Sequence, residues 1–333
     1  MLLKNPARHL SCGVFSFLLL ASLGHVQAQV LPAEPFSSRD QHPLVSIYGL
    51  PLPANARLPA AGDSYSRTTL NVTNTLNLAE SDSSQLHVDT ETTQLAWLYA
   101  YTFAPDWMLR LQVSIIGHRA GLLDNWIDDY HQLLGLKEGM RPLVEPDQFQ
   151  ISVTDNGNTL INLQTSQSGF GDFQIQLGTQ LSKAADSATS IWASVKLPTG
   201  SSEKLTGSGA ADFALWLSTQ QQLSTNTWFY ADIGGLSMGN SEVLAPLHRS
   251  TAAFGNLGLV YNFNHWLQLK TQFDSHSAMY NTQLDFIDSA LQLTFGGSIT
   301  LDTSNTMDIA VSEDILSLSS PDVTFNFSWL TRF

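Results

Sequence analysis

Asp274-Ser275-His276-Ser277 places a carboxylate, two hydroxyls and an imidazole next to one another. These are the parts of an acyl-transfer relay, in which an imidazole takes the proton of a serine and a carboxylate orients the ring. Relays of this kind are assembled from separate strands, so the stretch reads first as a polar loop end. A hydrolase of lipid or lipopolysaccharide, using His276 with Ser275 or Ser277 and Asp274, is the alternative it leaves open. His118, Asp128 and His131 carry metal-ligating groups without the fixed spacing of a motif such as His-Glu-x-x-His, and they read as solvated loop residues. Gly207-Ser208-Gly209 has no following lysine and no strand-to-helix context, which removes a phosphate cradle. No cofactor and no metal is expected.

The elements that position these residues begin after a leader. Lys4 and Arg8 precede an apolar run from Val14 to Leu23 that is too short to span a bilayer, and Val26-Gln27-Ala28 offers small residues where a signal peptidase reads. Cleavage is expected after Ala28. The single cysteine, Cys12, lies in the leader, so the mature chain holds no disulfide and no thiol nucleophile. Removing Lys4 and Arg8 leaves 13 basic residues against 29 acidic ones, a balance of −16 that disfavours nucleic acid as a partner. Gln29 to Gly62 is proline-rich and aperiodic, and is expected to be a periplasmic extension.

From Tyr65 the pattern has a period of two. Leu95, Trp97, Tyr99, Tyr101 and Phe103 alternate with smaller or polar residues, and Trp107, Leu109, Leu111, Val113 and Ile115 do so after the turn at Pro105-Asp106. Further apolar faces run through Ile191 to Leu197, Phe213 to Leu217, Leu257 to Tyr261 and Val323 to Trp329. Arg110, Lys196, Asp232, Lys270, Asp308 and Arg332 all fall on the other parity, with Gln112 and Gln268. These would line a lumen, as a polar conduit or as an interior closed by hydrogen-bonded side chains. The connections separate a soluble sandwich from a membrane barrel. Short turns at Pro105-Asp106, Asp155 to Asn158, Asn262 to His265 and Asp302 to Asn305 alternate with long ones from Gly117 to Asp147, Pro198 to Gly209, Gly239 to Ser250, Asp274 to Asp288 and Ser312 to Pro321. The strand count is about 14, or about 12 if the hairpin over Phe149 to Leu163 belongs to an outer loop, and both are even. Tyr101, Phe103, Trp107, Tyr261, Phe263 and Trp329 gather at the short-turn ends as an interfacial girdle.

In the longest loop, residues 121–140, Leu122, Leu123, Trp126, Ile127, Tyr130, Leu133 and Leu134 recur at helical spacing with Asp124, Asp128 and Asp129 on the other side. An amphipathic helix there would be a lid over the barrel mouth, with Leu122, Trp126, Ile127, Tyr130 and Leu134 as its apolar face, or a helix packed on the outer rim. At the other end of the chain Phe325, Phe327, Trp329 and the terminal Phe333 share one face, the form of signal read by the outer-membrane barrel assembly machinery.

Several stretches together resemble the bacterial family catalogued as domain of unknown function 3187. They are Asn125 to His131 with Gly135-Leu136, Ser168-Gly169-Phe170-Gly171-Asp172, Val195-Lys196-Leu197-Pro198-Thr199-Gly200, Gly207 to Asp212, Asp274 to Tyr280, and Ala310 to Asp314. The resemblance runs over nearly the whole mature chain and brings no established activity, and Trp126 and Tyr130 stand where the family pattern has phenylalanine. The pieces Gly-x-Gly-Asp and Lys-x-Pro-Thr-Gly also resemble outer-membrane barrels linked to hydrocarbon and phenol degradation.

The expected protein is an all-β transmembrane antiparallel barrel over residues 63–333 in the outer membrane of a Gram-negative bacterium, with a short amphipathic helix in an extracellular loop. Its expected partners are the lipid bilayer, lipopolysaccharide, the assembly machinery and an unidentified small solute. Passage or uptake of that solute is the expected work, with a structural or adhesive barrel as a further alternative to the hydrolase.

Overall fold

A computed structural model of the chain describes residues 33–121, 148–282, 287–315 and 319–333. Fifteen strands form one sheet: β1 (Ser64–Glu80), β2 (Ser84–Ala104), β3 (Trp107–Arg119), β4 (Gln150–Asp155), β5 (Asn158–Leu163), β6 (Gln167–Phe170), β7 (Phe173–Lys183), β8 (Ser187–Leu197), β9 (Asp212–Gln222), β10 (Thr227–Met238), β11 (Thr251–Asn262), β12 (Leu267–His276), β13 (Ala290–Thr300), β14 (Asn305–Asp314) and β15 (Val323–Arg332). β1–β3 and β7–β15 each pair antiparallel with their neighbours, and β1 pairs with β15 from Tyr65↔Arg332 to Asn74↔Val323, so twelve strands close into a barrel without free edges.

β2 is long enough to have two partners. Its second part, from Glu91, pairs with β3, while Ser84–Asp89 pairs with β4, which turns back as β5 through Asn156-Gly157. Both turn residues have positive φ, 49° and 77°, the backbone that a two-residue hairpin of right-handed twist requires and that Asn-Gly supplies cheaply. The hairpin β4–β5 thus extends the wall beyond the barrel and is not counted in the ring. β6 similarly continues along the end of β3, from Ile115 to His118.

This placement corrects the strict alternation of short and long connections. Turn Asp155 to Asn158 lies at the long-loop end, because it caps a hairpin paired to the start of β2. β1 and β2 are likewise joined at that end by only Ser81–Ser83. The chain termini of the barrel and the remaining short turns lie at the opposite end. The expected helical loop 121–140, with Leu122, Trp126, Ile127, Tyr130 and Leu134, lies outside the described residues apart from Gly121; a 3-10 turn, Ala245–Leu247, is among the described residues.

The alternation resolves in the direction opposite to that of a soluble protein. In β9 every second side chain is exposed, Phe213, Leu215 and Leu217 among them, while Asp212, Ser218 and Gln220 are buried. Leu95, Trp97, Val113, Ile115, Leu257, Leu259, Ile309 and Phe327 are all exposed in the same way, and the girdle residues Tyr101, Phe103, Trp107, Tyr261, Phe263 and Trp329 with them. An apolar outer belt around a buried polar face is what a hydrocarbon solvent selects.

Residues 33–62 correct a second expectation. They are not an extension outside the barrel: nearly all are buried, with Phe36, His42, Leu44 and Tyr48 wholly enclosed, and they run through the lumen. Five prolines, Pro35, Pro43, Pro51, Pro53 and Pro59, deny this segment a place in any ladder. Irregular backbone survives at membrane depth only if protein groups satisfy it one by one, and here the inward side chains of the strands do so.

Candidate functional site: a lumen filled by the N-terminal segment

The wall supplies the partners at regular depth. Gln272 Oε1 accepts from the Phe36 amide at 2.9 Å, Asn326 donates to the Ser37 carbonyl at 3.1 Å, and Ser312 meets Ser38 at 3.3 Å. Farther along, Tyr280 donates to the Leu44 carbonyl at 2.6 Å, Lys196 to the Ile47 carbonyl at 2.9 Å, and Asp232 accepts from the Ala54 amide at 3.0 Å. Gln180 closes the series by accepting from the Leu58 amide at 2.8 Å and donating to the Ala56 carbonyl at 2.7 Å. Within the segment His42 accepts a hydrogen bond at Nδ1 from the Leu44 amide, so Nε2 donates to Asn77 Oδ1 at 3.1 Å and the ring is neutral. Burial pushes the His42 imidazole down to about 4, in keeping with that tautomer.

Two clusters of buried charge hold the segment. At the short-turn end Glu34 pairs with Arg67 at 2.7 Å and Arg332 at 2.6 Å, Arg67 also reaches Asp308 at 3.0 Å, and Lys270 meets Asp308 at 3.4 Å. Lys270 in addition lies 4.9 Å from the ring centre of Phe36. This cluster floors a vestibule of about 610 Å³, walled further by Trp266, Gln268, Ser298 and Leu301. Farther in, among the described residues, are small cavities of about 20 Å³, one beside Asp40 and His276 and one beside Arg110.

Toward the long loops Lys196 is the centre. Its ammonium lies 2.7 Å from Asp172, 3.0 Å from Asp212 and 2.6 Å from Ser208, besides the Ile47 carbonyl. Asp172 in turn accepts from the Gly200 amide at 2.7 Å, and Asp212 from Gly49 at 2.8 Å and Gly239 at 3.1 Å. A Cβ on Gly49 would lie 2.9 Å from the Asp212 Cβ, so the close approach of segment to wall needs glycine there. The stretches ending at Asp172, Gly200 and Asp212, far apart in sequence, therefore meet around one lysine.

The lumen candidates Arg110, Gln112, Lys196, Asp232, Gln268, Lys270 and Asp308 are all buried on the inward face. Asp274, Ser275, His276 and Ser277 are not brought together as a relay. His276 Nε2 bonds Asp40 at 3.0 Å and Nδ1 donates to the Ser277 carbonyl at 3.0 Å, which leaves neither nitrogen for a hydroxyl. Ser275 points outward, Ser277 Oγ accepts from the Ala253 amide at 2.9 Å, and Asp274 is held by Gln272. His276 is a clamp on the N-terminal segment and supports no hydrolase. His118 is also spent within the protein, on Thr92 at 2.8 Å and the Leu205 carbonyl at 3.0 Å; Asp128 and His131 lie outside the described residues. Phe327, Trp329 and Phe333 face outward and exposed, with Phe325 half-buried on the same side.

Sequence reasoning missed the segment itself and an aromatic wall behind it. Trp192 and Trp216 stack at 6.0 Å, and Phe254 meets Trp216 edge-on at 6.2 Å. Their rings lie where Gly178 and Gly234 leave room on the adjacent strands, positions at which a Cβ would come within 2.6 and 2.4 Å of the tryptophans. The signal was present as two tryptophans on the polar parity of their strands.

The described backbone is similar to that of an outer membrane channel from Pseudomonas putida F1, at 10% identity and a TM-score of 0.56, covering 84% of this chain and 99% of that one. The toluene transporter TodX of P. putida also matches, at 11% identity and a TM-score of 0.41, over 84% of this chain and 91% of that one. The first of these likenesses shows the fold; no curated protein matches the sequence. The model of the family described as "Protein of unknown function (DUF3187)" matches residues 15–333, and the chain belongs to that family.

Proposed function

We propose that this protein is an outer-membrane channel or uptake protein for a small solute in a Gram-negative bacterium, in a state closed by its own N-terminal segment. One observation carries the reading: a closed ring with an apolar outer belt surrounds a polar bore whose obstruction is residues 33–62, a segment belonging to no strand. A sealed scaffold would more simply fill its bore with side chains from the strands themselves. A segment held by separate hydrogen bonds and two ion clusters can withdraw while the barrel stays intact, because no ladder pairing is broken. The likeness in fold to an outer membrane channel supports the same reading.

The test is flux. Liposome swelling and single-channel recording are made with the mature protein and with a form lacking residues 29–56. The mature form is expected to conduct weakly or in brief openings, and the shortened form several-fold more; no flux from either overturns the proposal. The outward aromatic face ending in Phe333 is proposed as the signal to the assembly machinery, and deleting Phe333 is expected to lower the amount of barrel reaching the outer membrane without altering purified protein refolded in detergent.

A further inference from the structure

Arg110, on β3, is buried on the inward face and differs from the charged residues around it. Arg67 is answered by Glu34 and Asp308, Lys196 by Asp172 and Asp212, Lys270 by Asp308, and Arg332 by Glu34. Arg110 takes part in no ion pair among the described residues, and its Nε has no hydrogen-bond partner. Its guanidinium carbon sits 5.1 Å from the ring centre of Trp192, a cation–π contact that offsets only part of the cost of taking an unpaired cation out of water. The buried carboxylate of Asp232 acts on the guanidinium only at longer range, without contact, and its oxygen accepts from the Ala54 amide and from Asn256.

Beside Arg110 lies one of these small cavities, about 20 Å³, lined also by Arg67, Tyr65, Asn55 and Ser37. That volume suits a single occupant the size of a water molecule, which needs roughly 10–15 Å³ by the same measure. Water would fill the space without giving the guanidinium a counter-ion in contact. We propose that the cavity binds one small monovalent anion, with Arg110 as its counter-charge and the neutral donors of Tyr65, Asn55 and Ser37 around it. A halide has this chemistry and about this size, whereas the three heavy atoms of a carboxylate head exceed it. In a chain of net charge −14 general electrostatics would not gather anions, so the site depends on Arg110 itself. The inference stands whether or not the barrel conducts.

The mature protein in detergent tests it. Crystals soaked in sodium bromide are expected to show an anomalous peak at the Arg110 guanidinium. At constant ionic strength, chloride and bromide are expected to raise the melting temperature above its value in bulky gluconate, and Arg110→Met, which keeps cover over Trp192, is expected to abolish that difference. Acetate, too large for the cavity, is expected to leave the melting temperature at its gluconate value; acetate acting like chloride would show that the anion effect arises elsewhere and overturns the proposal. An empty cavity in the bromide map, or an unchanged anion dependence in Arg110→Met, overturns the proposal. Should Arg110→Met fail to fold, the bromide map of the wild type decides alone.

Discussion

The two charge clusters grip the N-terminal segment in different ways. At the short-turn end the segment brings a charged side chain of its own, Glu34, into contact with Arg67 and Arg332. Around Lys196 it makes contact through backbone, the Ile47 carbonyl and the Gly49 amide, while the charges in contact belong to the wall and its loops and the segment's Arg39 acts on Asp172 only at longer range. The first grip can be cut by changing one side chain of the segment. The second is a matter of shape and of a cluster that exists for the loops as much as for the segment, so it fails through loss of the lysine or through added bulk.

Lys196→Met should have the largest effect, because it leaves Asp172 and Asp212 buried without the cation both contact. A loss of about 3–5 kcal/mol is expected in urea unfolding from lipid vesicles, and a loss under about 1 kcal/mol would mean that another group neutralises the pair. Gly49→Val comes next: its side chain meets the Asp212 Cβ, and overpacking of this kind costs about 1–3 kcal/mol. Hydrogen exchange should then quicken in residues 33–62 and stay unchanged in β8 and β9; equal changes in both would break the distinction between segment and wall.

Glu34→Gln should cost less, about 1–2 kcal/mol, since Arg67 keeps Asp308 and the amide oxygen still accepts a hydrogen bond. Its exchange effect should be confined to the first residues of the segment. The smallest effect is one of pH. His42 is neutral when buried, with a value near 4 against about 6.5 in an unfolded chain, so its contribution is whole above pH 6.5 and is lost as pH falls toward 4. Near pH 5.5 this amounts to about 1 kcal/mol of weakened docking. His42→Gln, which can still donate to Asn77, should remove that part of the slope, as read by exchange in residues 33–62 between pH 7 and 5.

The barrel was legible residue by residue. Leu215 and Leu217 against Ser218 and Gln220, or Trp329 against Ser328, declare two faces, and a strand needs only that local contrast to show which side meets hydrocarbon once the ring is closed. Lumen residues such as Lys270 and Asp308 followed from parity alone. His276 has serines as its neighbours in sequence, but its neighbour in space is Asp40, 236 positions away. The Asn156-Gly157 turn declares a hairpin, but its end of the barrel is open in the sequence between a short-turn position and an outer loop, and the structure takes the second, with twelve strands in the ring, because turn chemistry is local whereas the strand it pairs with is not.

By itself, then, the order of residues determined strands with one apolar and one charged face, since both features repeat every two positions and need no long-range information, and the lengths of the connections pointed the apolar face outward. Only the tertiary structure decided what occupies the inside. Residues 33–62 carry no period, and their backbone groups are matched by Gln272, Tyr280, Lys196, Asp232 and Gln180 from five different strands or loops. Such pairings depend on depth and register around the closed ring, which exist only after every strand has found its neighbour.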